Sequence, residues 1–310
     1  MIVVYRSEAN GLKTTGEFGP GTWIHLTNPT RDELDTVVQK LGIPSDFLTD
    51  PLDLDERARM EREGSWTLLI VRTPHYDEST TDIPFITIPI GIIFDDSVIL
   101  TICAIDPEVL RDFVQGRVRN FSPAERTRFI LQIFLRIALL FLRHLKEINK
   151  RTSSVERELH KALKNEELIR LLDLEKSLVY ITTSLKSNEL MMEKFYRMGC
   201  VTLGPEDKDL LDDLIVENKQ AIEMANVYSS ILSGMMDAFA SVISNNVNAV
   251  IKILTGVTII LMIPTLVASI YGMNVDLPFQ HTPWAFPITI GISVLLSAIS
   301  VMIFIRRRWL

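Results

Sequence analysis

Two long apolar runs close the chain, and the region before them alternates between apolar and charged positions. Across residues 253–271, and again across 282–305, no side chain carries a formal charge. Each run is long enough to cross a hydrocarbon core as a helix, which takes about 20 residues. Upstream, short β-branched or aromatic runs bounded by turn residues predict strands at 2–5, 23–26, 66–72, 86–94 and 98–102. Asp95-Asp96-Ser97 is placed to turn a hairpin between the last two. Thr30, with Glu33 at the capping-box position, predicts a helix from Arg31. A second helix is predicted from 107 to about 119, which makes this an α/β region with a small sheet.

From Pro123 the pattern turns helical. Pro205 is the only further proline before the first apolar run. Amphipathic periodicity predicts long helices from 126 to about 163 and from 166 to about 198, with a turn over 199–204. Pro205 suits the first turn of a new helix, which then meets no breaker until Pro264, already inside the first apolar run. Along it Leu214, Ala221, Tyr228, Met235 and Val242 recur every seven residues, with Ala225, Leu232 and Phe239 interleaved. Such a beat belongs to a helix packed lengthwise on others, either within its own subunit or around a symmetry axis.

Charge sharpens the division. The 310 residues carry a formal charge of −7, yet Asp276 is the only formal charge between 253 and 305. The chain is therefore expected to be an α+β membrane protein. Its parts are an α/β domain (1–122), long helices (123–204), a stalk helix (205–252), a first span (253–271), an outer loop (272–283), a second span (284–305) and a basic tail (306–310). Lys252 precedes the first span, Arg306, Arg307 and Arg308 follow the second, and the loop holds no Lys or Arg. The positive-inside rule then puts both termini in the cytoplasm of a multi-pass protein of the cell membrane. The acidity argues against nucleic acid and suits cations. Cys103 and Cys200 show neither metal spacing nor a disulfide framework. Residues 1–5 are too short for a signal-peptide core. Without a phosphate-binding loop, nucleophile motif or zinc-hydrolase spacing, the chain does not read as an enzyme, and no covalent cofactor is expected.

The first span carries a polar stripe. Asn248, Ile251, Thr255, Thr258, Met262, Thr265 and Ser269 step alternately by three and four residues, which keeps them on one helix face. Five of the seven bear uncharged oxygens. Hydroxyls in membrane helices serve packing or bond back to their own carbonyls. The same stripe also suits a hydrated cation such as magnesium, which keeps several of its waters. One helix cannot enclose a pore, so the second reading requires an oligomer. Asn274 would then offer a carbonyl oxygen at the outer mouth, Gly272 would permit a tight bend at the helix end, and Met273 would pack on a neighbouring helix. Ser293, Ser297 and Ser300 form a small-residue face on the second span, suited to close packing on the first. Trp284 and Trp309 stand as interface anchors at its two ends.

Tyr271-Gly272-Met273-Asn274 between two C-terminal spans resembles the CorA family of divalent-cation channels, and the likeness extends over essentially the whole chain. The resemblance implies a homopentameric channel for magnesium, with cobalt or nickel also admitted, and magnesium as both substrate and regulatory ligand. Carried over residue by residue, it assigns the pore to Asn248, Ile251, Leu254, Met262, Thr265 and Asn274. Ile251 and Leu254 become an apolar gate, and Asp237 an acidic ring in the stalk. It pairs Asp50 with Asp213 between subunits as a regulatory magnesium site, with Asp212 adjacent; carboxylates brought together this way repel unless a cation lies between them.

The outer loop departs from the family's acidic Met-Pro-Glu-Leu pattern, having Asp276 as its only carboxylate and a histidine, His281. Fewer external charges concentrate less metal at the mouth, which leaves a zinc transporter of the related ZntB type, possibly proton-coupled, as an alternative. A non-conducting membrane-anchored coiled-coil scaffold is the rival of a different class.

Overall fold

The computed structural model describes residues 1–8, 11–77, 83–161, 165–198, 204–275, 277–278 and 282–307. Cys200, Asp276, His281, Arg308, Trp309 and nearly all of the expected 199–204 turn lie outside them. The chain divides into two units, Met1–Gly234 and Met235–Leu310.

The N-terminal unit is built on a seven-stranded sheet: β1 (Ile2–Glu8), β2 (Gly11–Thr15), β3 (Thr22–Thr27), β4 (Arg59–Glu63), β5 (Trp66–Tyr76), β6 (Phe85–Phe94) and β7 (Ile99–Cys103). Their order across the sheet is β2-β1-β3-β7-β6-β5-β4. Only β3 and β7 pair in parallel; the other neighbours are antiparallel. Alternation along the strands sorts side chains to two cores. Ile24, Leu26, Leu100 and Ile102 join Val37 of α1 (Arg31–Leu41) with Phe47 and Leu48 of α2 (Ser45–Thr49). On the other face Trp23 is fully buried against Phe113 of α3 (Glu108–Val114), Phe121, and Phe129 of α4 (Arg126–Lys161). With both faces covered, β5 and β6 are buried almost throughout, which is why they read as continuous apolar runs.

Helix α5 (Asn165–Arg197) docks on this sheet by polar clamps. The main-chain N–H of Arg72 donates to Asn188 Oδ1 at 2.9 Å, and Asn188 Nδ2 donates to the carbonyl of Arg72 at 2.7 Å. β4 pairs with β5 only as far as Ile70, so one amide side chain closes the exposed edge beyond it as a strand would. Thr87 and Ser184 hydroxyls meet at 2.8 Å, and Lys194 Nζ donates to the carbonyl of Met60. The Thr30–Glu33 capping box and the Asp95 turn form as expected, with Asp95 Oδ1 accepting from the N–H groups of Ser97 and Val98.

Three expectations change. The sheet is large rather than small, because β2 and β4 are polar strands without an alternating apolar face. The predicted 107–119 helix stops at Val114, where Gly116 takes a left-handed φ of 68°. The heptad is buried unevenly. Leu214, Ala221, Ala225, Leu232 and Phe239 are buried, Tyr228 and Met235 are half-buried, and Val242 is 44% exposed. All lie on α6 (Pro205–Tyr271), which runs unbroken through Pro264.

The C-terminal unit consists of the end of α6 and α7 (Ala285–Arg306). Both helices are long and apolar enough to cross a membrane. Among the described residues of α7 only Ser293 is buried within the chain, and most of the apolar stretch of α6 is exposed. A core helix of a soluble protein would be mostly covered, so these two are built for an apolar surrounding.

Candidate functional site

Every residue of the predicted stripe faces outward from α6. Asn248, Thr255, Thr258, Thr265 and Ser269 are exposed, as are Ile251, Leu254 and Met262 at 54%, 66% and 63%. The Thr258 hydroxyl donates to the carbonyl of Leu254 at 2.8 Å, and the Thr265 hydroxyl to that of Leu261 at 3.3 Å. Back-bonding settles each proton inside its own helix and leaves the oxygen's lone pairs directed outward as acceptors. The stripe thus presents acceptor oxygens without a charge.

A groove of about 810 Å³ lies along the hairpin, lined from α6 by Pro264, Ala268 and Tyr271 and from α7 by Thr289, Ser293 and Ser297 among others. None of the stripe residues lines it. At about 100° per residue, Val267, which is buried, stands nearly opposite Thr265. The α7 serines were expected to pack closely on the first span; Ser293 and Ser297 border this groove from the α7 side, and Ser293 is buried. Ser293 and Ser300 bond back to Thr289 and Leu296, while the buried hydroxyl of Ser297 has no partner among the described residues.

At the end of α6, the N–H of Gly272 still donates to Ala268 at 2.9 Å, and that of Met273 donates to Ile270 at 3.2 Å. The helix tightens into a last short turn. The tight bend expected at Gly272 forms as this last turn, with Gly272 outside the left-handed region. A Cβ there would still crowd the Ala268 carbonyl at 3.3 Å. Met273 and Asn274 are both exposed, and Trp284, ahead of α7, is 70% exposed.

The acidic candidates sit apart. Asp237 and Asp213 are exposed on α6, and Leu214 beside Asp213 is buried. Asp50 opens the short 3-10 turn Asp50–Leu52 after α2. Its carboxylate is not free, since it accepts from Arg59 Nη2 at 2.6 Å. Arg59 also faces Glu56 at 2.5 Å and Glu61 at 3.4 Å. Burial opposes the charge on Arg59, but these three carboxylates outweigh it and hold the guanidinium above its ordinary pKa. Three carboxylates around one guanidinium leave two formal negative charges. The sequence reading did not include Arg59 or Gly91. Gly91 leaves room for Pro51, whose Cγ would lie 2.4 Å from an added Cβ, and so it fixes the turn that carries Asp50. Gly in an otherwise apolar strand signals such a close approach. Among the described residues no three His, Cys, Asp or Glu side chains converge on one metal position. Cys103 is buried, and that burial pushes its thiol up to about 12.

A family model described as "CorA-like Mg2+ transporter protein" matches residues 20–307. The "Cobalt/magnesium transport protein CorA" of Methanocaldococcus jannaschii is 28% identical over 298 residues, covering 93% of this chain and 91% of that protein. The complete structure of the CorA magnesium transporter from the same organism superposes with a TM-score of 0.86 at 25% identity, over 100% of this chain and 99% of that one. The ZntB cytoplasmic domain from Vibrio parahaemolyticus covers 79% of this chain and 97% of its own, with a TM-score of 0.60 at 13% identity, a likeness of fold alone.

Proposed function

We propose, from the premise that the chain belongs to the CorA-like Mg2+ transporter family, that it forms a homopentameric channel carrying divalent cations, magnesium foremost, across the cytoplasmic membrane. The observation that carries this reading is the face of α6 on which Asn248, Thr255, Thr258, Thr265 and Ser269 all lie exposed, away from the hairpin groove. In a ring of copies, that face would line a path whose neutral oxygens hydrogen-bond the waters of a hydrated ion without stripping them. Asn274 supplies the outer ring, with Gly272 and Met273 shaping the mouth. Ile251 and Leu254 form an apolar constriction that closes by dewetting, and Asp237 concentrates cations below it.

Regulation follows from Asp50 and Asp213. Asp50 lies in a locally negative cluster despite Arg59, and an intracellular cation bridging it to Asp213 of a neighbouring copy would favour the closed arrangement. By the positive-inside rule Lys252, Arg306 and Arg307 support cytoplasmic termini, and an inside-negative potential would then drive entry of a doubly charged ion.

The deciding experiment is magnesium uptake into proteoliposomes holding the full chain, with Asn274→Ala alongside. Potential-driven uptake in wild type, reduced at least about tenfold in an Asn274→Ala variant that still assembles, is the expected result. Zinc uptake driven by a proton gradient without magnesium flux moves the assignment to the zinc branch. Silence for every metal from an assembled oligomer leaves a scaffold.

A further inference from the structure

The N-terminal unit contains a second feature that the transport reading does not use. A cavity of about 560 Å³ opens beside α4 and is floored by Tyr76 of β5 and Phe85 of β6. Four cationic side chains of α4 line it: Arg143, Lys146, Lys150 and Arg151. Arg143, Lys146 and Lys150 are spaced by three and four residues, which brings them to one helix face, and Arg151 follows Lys150 directly. In a chain of net charge −7, a cavity with four basic residues against two acidic ones is a specific local reversal.

Both acids are already engaged. Glu108 pairs with Arg143, and Glu147 Oε1 accepts from Arg151 Nε at 3.1 Å. Lys146 and Lys150 have no ion pair or hydrogen bond among the described residues, so two positive charges face the cavity uncompensated. The guanidinium carbon of Arg151 lies over the rings, 4.7 Å from the Tyr76 centroid and 5.0 Å from that of Phe85. Cation–π attraction holds the guanidinium there, and a planar guanidinium is itself a surface on which a base stacks. The Nδ1–H of His144 donates to the carbonyl of Leu140 at 2.9 Å, and the ring lies edge-on to Phe85, completing the wall.

From this arrangement we infer a binding site for a diphosphate-bearing anion, with a nucleoside diphosphate as the ligand whose size fits. Ammonium groups one helical turn apart, with Cβ atoms about 5–6 Å from each other, suit two phosphates held covalently together. A lone phosphate would leave most of the volume empty, whereas cavities of about 300–1,000 Å³ hold ligands of nucleotide size. The phosphates neutralise Lys146 and Lys150, and the base lies on Arg151. The inference does not rest on the channel reading, because the site lies wholly within the N-terminal unit.

Calorimetric titration of the full chain in detergent tests it, with ADP and inorganic pyrophosphate as the two probes. A chelator is kept in excess so that neither probe acts by removing metal. ADP is expected to bind saturably, one per chain, and the double variant Lys146→Gln/Lys150→Gln to weaken it at least about tenfold. The pair Lys146→Arg/Lys150→Arg, which keeps both charges, should retain binding, as should Lys219→Gln on α6. Equal affinity for pyrophosphate assigns recognition to the phosphates alone; tighter ADP adds the base on Arg151. No saturable binding of either probe, or a glutamine variant that binds like wild type, overturns the proposal.

Discussion

The two units handle their polar groups in opposite ways. In the N-terminal unit, polar side chains that reach the sheet are tied to it: Asn188 bonds the main chain of Arg72 twice, Thr87 meets Ser184, and Trp23 and His25 share Thr101. In the C-terminal unit, the hydroxyls of Thr258 and Thr265 on α6 bond back to their own helix and face outward beside exposed isoleucines and leucines. The first unit completes its hydrogen bonding and its core within one chain. The second leaves both an apolar surface and a polar stripe uncovered, and the proposed channel gives them different neighbours: lipid for one, water and further copies for the other.

The sharpest way to break this contrast is a pair of glycines. Valine at Gly91 in β6 would put Cβ 2.4 Å from Pro51 Cγ and 2.8 Å from Ile102 Cγ2. Neither neighbour can swing away, so Gly91→Val should cost about 3 kcal/mol or more in urea unfolding. Gly291 on α7 has nothing within 4 Å of an added Cβ. Gly291→Val should therefore leave the unfolding midpoint unchanged. Equal losses at the two sites would show that the C-terminal unit is as tightly built as the first.

Acid separates the units next. Burial holds the His25 imidazole down at about 4, against an ordinary value of 6.5. Between those values the unfolded chain takes up a proton that the folded one refuses. The contribution is full above pH 6.5 and is lost as pH falls towards 4, by roughly 3 kcal/mol. His144 is shifted the same way, chiefly by burial. The urea midpoint should fall from neutral to acid pH in wild type, and by less in His25→Gln. An unchanged pH slope in that variant would mean His25 is not the group that resists protonation.

Asn188→Ala comes third. It removes both partners of the Arg72 main chain at a half-buried sheet edge. The expected loss is about 2 kcal/mol, the penalty for a donor and an acceptor left unpaired. Amide exchange at Arg72 should rise with it, which a general loosening of α5 would not confine to that residue.

What the sequence revealed follows the reach of each signal. The long helices, the Thr30 cap and the Asp95 turn were legible because each depends on residues within a few positions of one another. Strands β2 and β4 were not, since polar edge strands take their place from a partner and not from their own pattern. The stripe could be read on α6 because helical periodicity alone defines a face. Its separation from the hairpin groove could not, because that depends on where α7 lies. Asp50 was identified through family resemblance, but its pairing with Arg59 is tertiary, and only the fold puts Glu56 and Glu61 on the same guanidinium. The bend at Gly272 was legible because glycine at a helix end permits it, and it takes the form of a last turn that tightens.

Thr258→Val carries the smallest expected change in stability and bears most directly on the contrast. Valine keeps the shape and removes only a hydroxyl whose sole bond among the described residues is to Leu254 on its own helix. Even hydrogen bonds between membrane helices average only about 0.6 kcal/mol, and this one stays within a helix, so the protein should melt within that margin of wild type. Magnesium flux through proteoliposomes should nevertheless fall several-fold, because an acceptor for hydration waters is gone from the path. If flux holds and melting falls by more than that margin, Thr258 is a packing residue. The stripe would then be a seam covered in the assembly, and the polar face of α6 would belong with the closed interior of the first unit.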